Sequence, residues 1–206
     1  MIEKPYECNS YPTMVVISGP SGVGKDTVAR EVIKRRPEDF YFVVTAASRE
    51  PRPGEVHGRD YFFVSNDEFA RMIDENELLE YAIVYREYKG IPKQQIRDAL
   101  ESGKNVIMRV DVQGAATVRK LIPNAITVFL VTPSEEDLVK RLTERASEDQ
   151  KGLKLRIATA RKEMERIEEF DYCVVNADSR VDCAVDTILS IVDAARSRVH
   201  QQSIIL

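Results

Sequence analysis

Short, near-continuous apolar runs rich in β-branched residues recur along the chain at Val15 to Ser18, Phe40 to Thr45, Val106 to Val110, where Arg109 interrupts, Ala125 to Val131 and Tyr172 to Val175. Runs of this kind are expected of strands covered on both faces. Between them the apolar positions fall three and four apart, the spacing of one helix face. The first such helix is expected from Thr27 to Arg36, where Pro37 stops it. Ser65-Asn-Asp-Glu68 has the spacing of a capping box and starts a helix reaching Glu75. Pro92 suits the first turn of a helix that runs to Ser102 and ends at Gly103. Ser134 caps a further helix in which Leu138 and Leu142 share one face and Arg141 and Arg145 another. A polar break from Ala146 to Gly152 precedes a helix opened by Lys154 and Arg156 and running to about Phe170. The stripe Val181, Ala184, Val185, Ile188, Val192 and Ala195 marks the closing helix.

Strands alternating with helices from end to end predict an α/β fold: a parallel sheet with helices on both faces and right-handed crossovers. Two more strands, Tyr61 to Val64 and Leu78 to Tyr85, make the section from about Phe40 to Ile91 richer in short strands, as an inserted small mixed α/β region with its own sheet would be. The expected organisation is a tail at 1–12, a core at 13–45 and 92–198 with a lid at about 134–168, an insertion at 46–91 and a tail at 199–206.

Composition narrows the function classes. With 206 residues, 43% of them hydrophobic, the chain can bury one sizeable core, and no apolar run approaches the eighteen residues of a membrane span. The net charge of −4 argues against nucleic acid as a partner, since such binding needs a positive footprint. Cys8, Cys173 and Cys183 are odd in number and share no C-x-x-C spacing, which fits a reducing compartment and no structural zinc. Met1 to Thr13 has the character of neither a signal nor a transit peptide, so either the protein is made where it works or a targeting segment lies outside this chain.

The candidate chemistry begins where the first strand ends. Gly19-Pro20-Ser21-Gly22-Val23-Gly24-Lys25 fits G-x-x-x-x-G-K between a strand and a helix, a phosphate-binding loop. Glycines let backbone N–H groups close on a polyphosphate, the helix N-terminus adds partial positive charge, and Lys25 adds a full one. The next position normally carries a hydroxyl for Mg²⁺, but here it is Asp26, with Thr27 one place later. Arg49 and Arg52 lie in a proline-stiffened loop, either as bidentate phosphate ligands or as a solvated turn. Glu80, within an apolar stretch, faces either solvent or a ligand. Asp111 stands at the carboxyl end of a strand, where α/β sheets gather ligands. The basic helices around the polar break are either a mobile lid or a solvated pair.

Taken together, these segments resemble the guanylate kinase family: the phosphate loop, Ser48-Arg49-x-x-Arg52-x-Gly-Glu, Gly58-x-Asp60-Tyr61-Phe62-Phe63-Val64-Ser65, Val110-Asp111-Val112-Gln113-Gly114, Arg141-Leu142-x-x-Arg145 and Val174-Val175-Asn176. Several motifs in order, spanning Met14 to Arg198, are more specific than a lone phosphate loop. Lys25-Asp26, Glu87-Tyr-Lys-Gly-Ile-Pro and Arg109-Val-Asp-Val-Gln-Gly are most similar to the plastid and mitochondrial forms of plants, implying a plastid or mitochondrial address, with cytoplasm as the alternative. The resemblance implies a P-loop NTPase-type fold and transfer of the γ-phosphoryl of ATP, with Mg²⁺, to GMP and dGMP. It places the phosphate-loop residues, Arg145 and Asn176 on ATP. Arg49, Arg52, Tyr61 and Lys89 fall on the GMP phosphate, and Thr45, Glu80, Asp111 and Gln113 on the rest of GMP. Lys25, Arg49, Arg141, Arg145 and Arg156 are its catalytic cations. A monomer is expected, with a dimer as the alternative.

Four positions depart from the family pattern: Lys89 for a tyrosine, Ile91 for a serine at guanine O6, Arg109 for an aspartate and Arg86 for a glycine. Asp26 either serves Mg²⁺, directly or through water and with Thr27 assisting, or turns to an arginine such as Arg109; the outer-sphere metal role is the preferred reading. The rival function is a catalytically inactive guanylate-kinase-like module that binds phosphopeptides.

Overall fold

The computed structural model describes residues 11–84, 87–144, 150–200 and 202–206. Five parallel strands form the main sheet in the order β2-β7-β1-β8-β9: β1 (Met14–Ser18), β2 (Phe40–Phe42), β7 (Asn105–Arg109), β8 (Ile126–Val131) and β9 (Tyr172–Val175). Central β1 is buried along its whole length. Strand alternation divides its side chains between two layers. Val15 and Ile17 join the cluster holding Val28 and Val32 of α1 (Lys25–Arg35), Leu138 of α5 (Glu135–Glu144) and Ile188 of α7 (Val181–Arg196). Met14 and Val16 join Ile96 of α3 (Lys93–Glu101) and Val118 of α4 (Val112–Leu121) on the opposite face.

Between β2 and α3 lies a second sheet in the order β4-β3-β6-β5, made of β3 (Ala46–Ala47), β4 (Phe62–Phe63), β5 (Leu78–Val84) and β6 (Glu87–Pro92). Its inner face packs against Phe69 and Met72 of α2 (Asn66–Asp74), whose first turn is capped by Ser65 accepting from the Glu68 N–H. Gln95 of α3 ties the crossing chain in place: its side chain accepts from Val44 N–H at 2.9 Å and donates to Val44 O at 2.8 Å. The second basic helix, α6 (Gln150–Met164), returns over the phosphate loop before a short 3₁₀ turn at Ile167–Glu169 leads to β9.

Several boundaries differ from expectation. The strand expected over Phe40 to Thr45 stops at Phe42, because the chain then leaves the sheet for Gln95. Helix α1 starts at Lys25 rather than Thr27, since Gly24 takes a left-handed conformation and serves as its N-cap. Pro92 is the last residue of β6 and the N-cap of α3, not part of its first turn. Helix α6 ends at Met164, short of Phe170. No helix among the described residues is long and apolar enough to cross a membrane.

Candidate active site

The loop after β1 bends through three glycines with positive φ, at Gly19, Gly22 and Gly24. Gly19 is pressed so closely to β8 that a Cβ there would lie 2.3 Å from the Leu130 carbonyl oxygen. Lys25, at the start of α1, curls back and donates to Gly19 O at 2.6 Å and Pro20 O at 2.9 Å, which holds its ammonium over the loop. From α6, the Glu163 carboxylate accepts from Ser21 N–H at 3.3 Å. Burial pushes Glu163 above the usual carboxylate range, opposed by Lys25 and the Ser21 N–H.

Two cavities flank this loop. One, of about 370 Å³, is lined by Gly22, Gly24, Thr27, Arg141, Asn176 and Asp178 among others. Asn176 donates through Nδ2 to Val23 O at 2.8 Å, and Arg141 donates to Asn176 O at 2.7 Å and pairs with Asp178 at 2.7 Å. Here β9's carboxyl end and α5 are fastened to the middle of the phosphate loop.

The other cavity, of about 170 Å³, lies between the two sheets and is lined by Lys25, Thr45, Tyr61, Glu80, Ala82, Lys89, Ile91, Arg109, Val110 and Asp111. Its charges are sorted. The Tyr61 ring has Arg49 and Arg109 guanidinium carbons each 5.0 Å from its centroid and Lys89 Nζ at 5.8 Å. On the other side, Asp111 accepts from Gly114 N–H at 2.8 Å as the N-cap of α4, and Glu80 comes close enough to Gly114 that a Cβ would sit 3.2 Å from its carboxylate. Burial, reinforced by Asp111, pushes Glu80 up to about 7. Desolvation lowers Lys89 below the usual lysine range. Arg49 is fixed by a bidentate pair with Glu55 at 2.6 and 2.7 Å, while its buried Nε, 3.4 Å from a Glu87 oxygen, makes no hydrogen bond.

A cavity with cations at one side, carboxylates at the other and a phosphate loop at its edge suits a ligand that is anionic at one end and rich in N–H donors at the other. The guanylate kinase family model matches residues 11–195. This chain belongs to the guanylate kinase family. A guanylate kinase 2, chloroplastic/mitochondrial, of Oryza sativa subsp. japonica is 53% identical over 194 residues, covering 94% of this chain and 68% of that protein. A guanylate kinase of Clostridium tetani (strain Massachusetts / E88) is 41% identical over 188 residues, 91% of this chain and 88% of that protein. Among solved structures, the guanylate kinase of Anaplasma phagocytophilum superposes with a TM-score of 0.75 at 26% identity, covering 93% of this chain and 89% of that one.

Beside this cavity, Asp26 does turn to Arg109: the two form an ion pair in which the arginine is largely covered and the aspartate partly exposed. The second Arg109 amino group reaches Asp60 O at 3.4 Å. Asp60 in turn pairs with Arg30 of α1 at 2.6 Å and Arg59 at 2.8 Å, so one carboxylate links the phosphate-loop helix to the insertion. Not every expected residue gathers here. Arg52 is exposed, with its guanidinium 3.9 Å from Glu87. Gln113 is exposed on α4 and does not line the cavity. Thr27 opens onto the Asn176 cavity, away from Asp26's partner. Arg156 is half-buried on α6. Arg145 and Arg86 fall outside the described residues. Glu163, Asp60 and Asp178 went unpredicted as parts of the site; only Asp60 stood in a quoted motif, and nothing in the local pattern marked the other two.

Proposed function

We propose that this chain transfers the γ-phosphoryl group of ATP to GMP, and to dGMP, giving ADP and the guanosine diphosphate. The observation that carries this reading is the sorted charge of the cavity between the sheets. The cations around Tyr61 suit the GMP phosphate: Lys89 and Arg109 line the cavity, and Arg49, behind the Tyr61 ring, would have to exchange Glu55 for the phosphate to join them. Guanine offers N–H donors at N1 and N2, which Glu80 and Asp111 accept, and an oxygen at O6, which the Thr45 hydroxyl satisfies. Adenine lacks that donor pair and would leave buried carboxylates unpaired, which supports guanine over adenine. Ile91, fully buried in the cavity wall, contributes only shape.

The triphosphate is assigned to Gly19–Thr27, with its γ-phosphate between Lys25 and the cavity and the adenine beside Asn176. Phosphoryl transfer asks little covalent chemistry of the protein, so Lys25, Arg141, Arg145 and Arg156 act by aligning and neutralising phosphates, where one arginine can contribute about 10³- to 10⁵-fold in rate. Bound Mg²⁺ would supply further neutralisation of the phosphate charge. The chain offers it hard oxygen donors in the first turn of α1, Asp26 through water and Thr27 as the lesser candidate. Helices α5 and α6 act as a lid that excludes water from the transfer.

The inactive phosphopeptide-binding alternative is not favoured, because relatives named guanylate kinase match over nearly the whole chain and Lys25 is retained. The name of the rice relative supports a plastid or mitochondrial location, and a cytoplasmic one is the alternative. The deciding experiment is ADP release from Mg²⁺-ATP with GMP, dGMP, AMP, UMP or CMP. Turnover confined to the guanine nucleotides is expected, and silence with GMP overturns the reading.

A further inference from the structure

Arg109 ends the strand that lies between β1, which leads into the phosphate loop, and β2, whose chain continues to the second sheet. It is therefore the residue of the main sheet placed between the two nucleotide subsites. Its surroundings are unusual for an arginine. The side chain is 14% exposed, stacked 5.0 Å from the Tyr61 centroid and 5.9 Å from that of Phe42, and its one ionic partner among the described residues is Asp26, at the second position of α1. Burial pulls the guanidinium down to about 10, still charged at neutral pH. Asp26, by contrast, keeps 39% of its side chain in solvent, so its own charge stays hydrated when it moves, while the guanidinium it leaves needs another anion.

An ion pair set beside an incoming polyanion is pulled from both ends: the anion is repelled and the cation attracted. We propose that Asp26 and Arg109 form a latch that reports phosphate-loop occupancy to the GMP subsite. With Asp26 on Arg109, the guanidinium is neutralised and contributes little to binding GMP. A triphosphate in the loop, only one residue from Asp26 at Lys25, drives the carboxylate off. Arg109 then swings about the Tyr61 ring, which it already touches, onto the phosphate of GMP. Asp26, once released, is the carboxylate that becomes available to Mg²⁺ accompanying the triphosphate. The hydroxyl usual at position 26 could not hold a guanidinium by charge, nor could the aspartate usual at 109 reach an anion favourably. The two departures from the family pattern thus make sense as one unit. Asp26 is the positioning residue, and Arg109 the substrate contact.

The proposal rests on the assignment of ATP and GMP to these subsites. Its test is the dissociation constant of GMP, measured by calorimetry on the full chain with and without a non-hydrolysable Mg²⁺-ATP analogue, so that no turnover is involved. In the unaltered chain the analogue is expected to tighten GMP by about tenfold, within the usual range for coupled sites. Asp26→Ser should tighten GMP several-fold without the analogue and reduce the coupling to within about twofold. Arg109→Gln should also abolish the coupling but without tightening GMP, and Arg109→Lys should restore part of it. Thermal melts establish that each variant is folded. A merely structural pair predicts that both Asp26→Ser and Arg109→Gln weaken GMP. That outcome, or coupling unchanged in both variants, or no coupling in the unaltered chain, overturns the latch. Failure of the unaltered chain to bind GMP at all overturns the functional reading itself and the latch with it.

Discussion

At the level of single residues, Glu80 shows how burial prepares a group for one ligand. The carboxylate sits against the α4 N-terminus, where burial, reinforced by Asp111, pushes it up to about 7, above the usual carboxylate range. Its ionised form offers both oxygens as acceptors, whereas the protonated form brings an O–H donor that guanine's N–H edge does not match. If guanine binds at Glu80 as proposed, it takes up the ionised form, and affinity should fall as pH drops through about 7, approaching tenfold per unit well below it, and level off above it. Guanosine is the right probe, because the GMP phosphate has a titration of its own near pH 6. Calorimetric titrations between pH 5.5 and 8.5 check this, and Glu80→Gln should flatten the profile at weak affinity. Sequence made the residue conspicuous, as a carboxylate inside an apolar stretch, but left open whether it faced water or ligand. The answer depends on β6 and α4 closing around it.

Among the elements, the phosphate loop was legible to the residue because its chemistry is local: glycine spacing, a lysine and the flanking strand and helix. Its tightness was not, since the contact with Leu130 O comes from a strand more than a hundred residues away. Gly19→Ala puts a Cβ into that carbonyl at a φ of 129°, and a cost of about 3 kcal/mol is expected. That should lower the melting temperature by roughly 6–12 °C. Gly103→Ala also has a positive φ, 78°, but a Cβ there meets nothing within 4 Å, so only about 1 kcal/mol is expected. Scanning calorimetry on the two variants separates conformational strain from collision. The strands β3 and β6 and the helix α4 were the elements not foreseen, Ala46 to Asp60 having been expected as a loop. Glu87-Tyr-Lys-Gly-Ile-Pro carries charges, a glycine and a proline, and is a strand only because β3 and β5 pair with it on either side. In α4, Gly114 obscures the helical pattern, yet its missing side chain is what lets Glu80 approach.

On the scale of the whole molecule, strand and helix alternation was enough to foresee a parallel sheet covered on both faces, and the strand-rich interval was enough to foresee a second sheet. What sequence could not supply was most of the long-range polar ties that bring the parts to one place: Asp60 to Arg30 and Asp178 to Arg141 went unforeseen, and Asp26 to Arg109 was only one of two readings left open. Ion pairs between distant segments leave no periodicity to read. The same holds for Glu163, which spans from α6 to the phosphate loop. Its carboxylate occupies an N–H that the proposed triphosphate would use, so the substrate enters by exchange and not by simple arrival. The imprint of such a toll falls on time more than on affinity: nucleotide association should be slow, limited by release of Glu163 from Ser21. Glu163→Gln keeps the shape but removes the repelling charge, and stopped-flow binding of a fluorescent ATP analogue should then show association several-fold faster. Equal rates in the two proteins would mean that the lid yields at no cost, and that the gatekeeper at Ser21 is only a resting place.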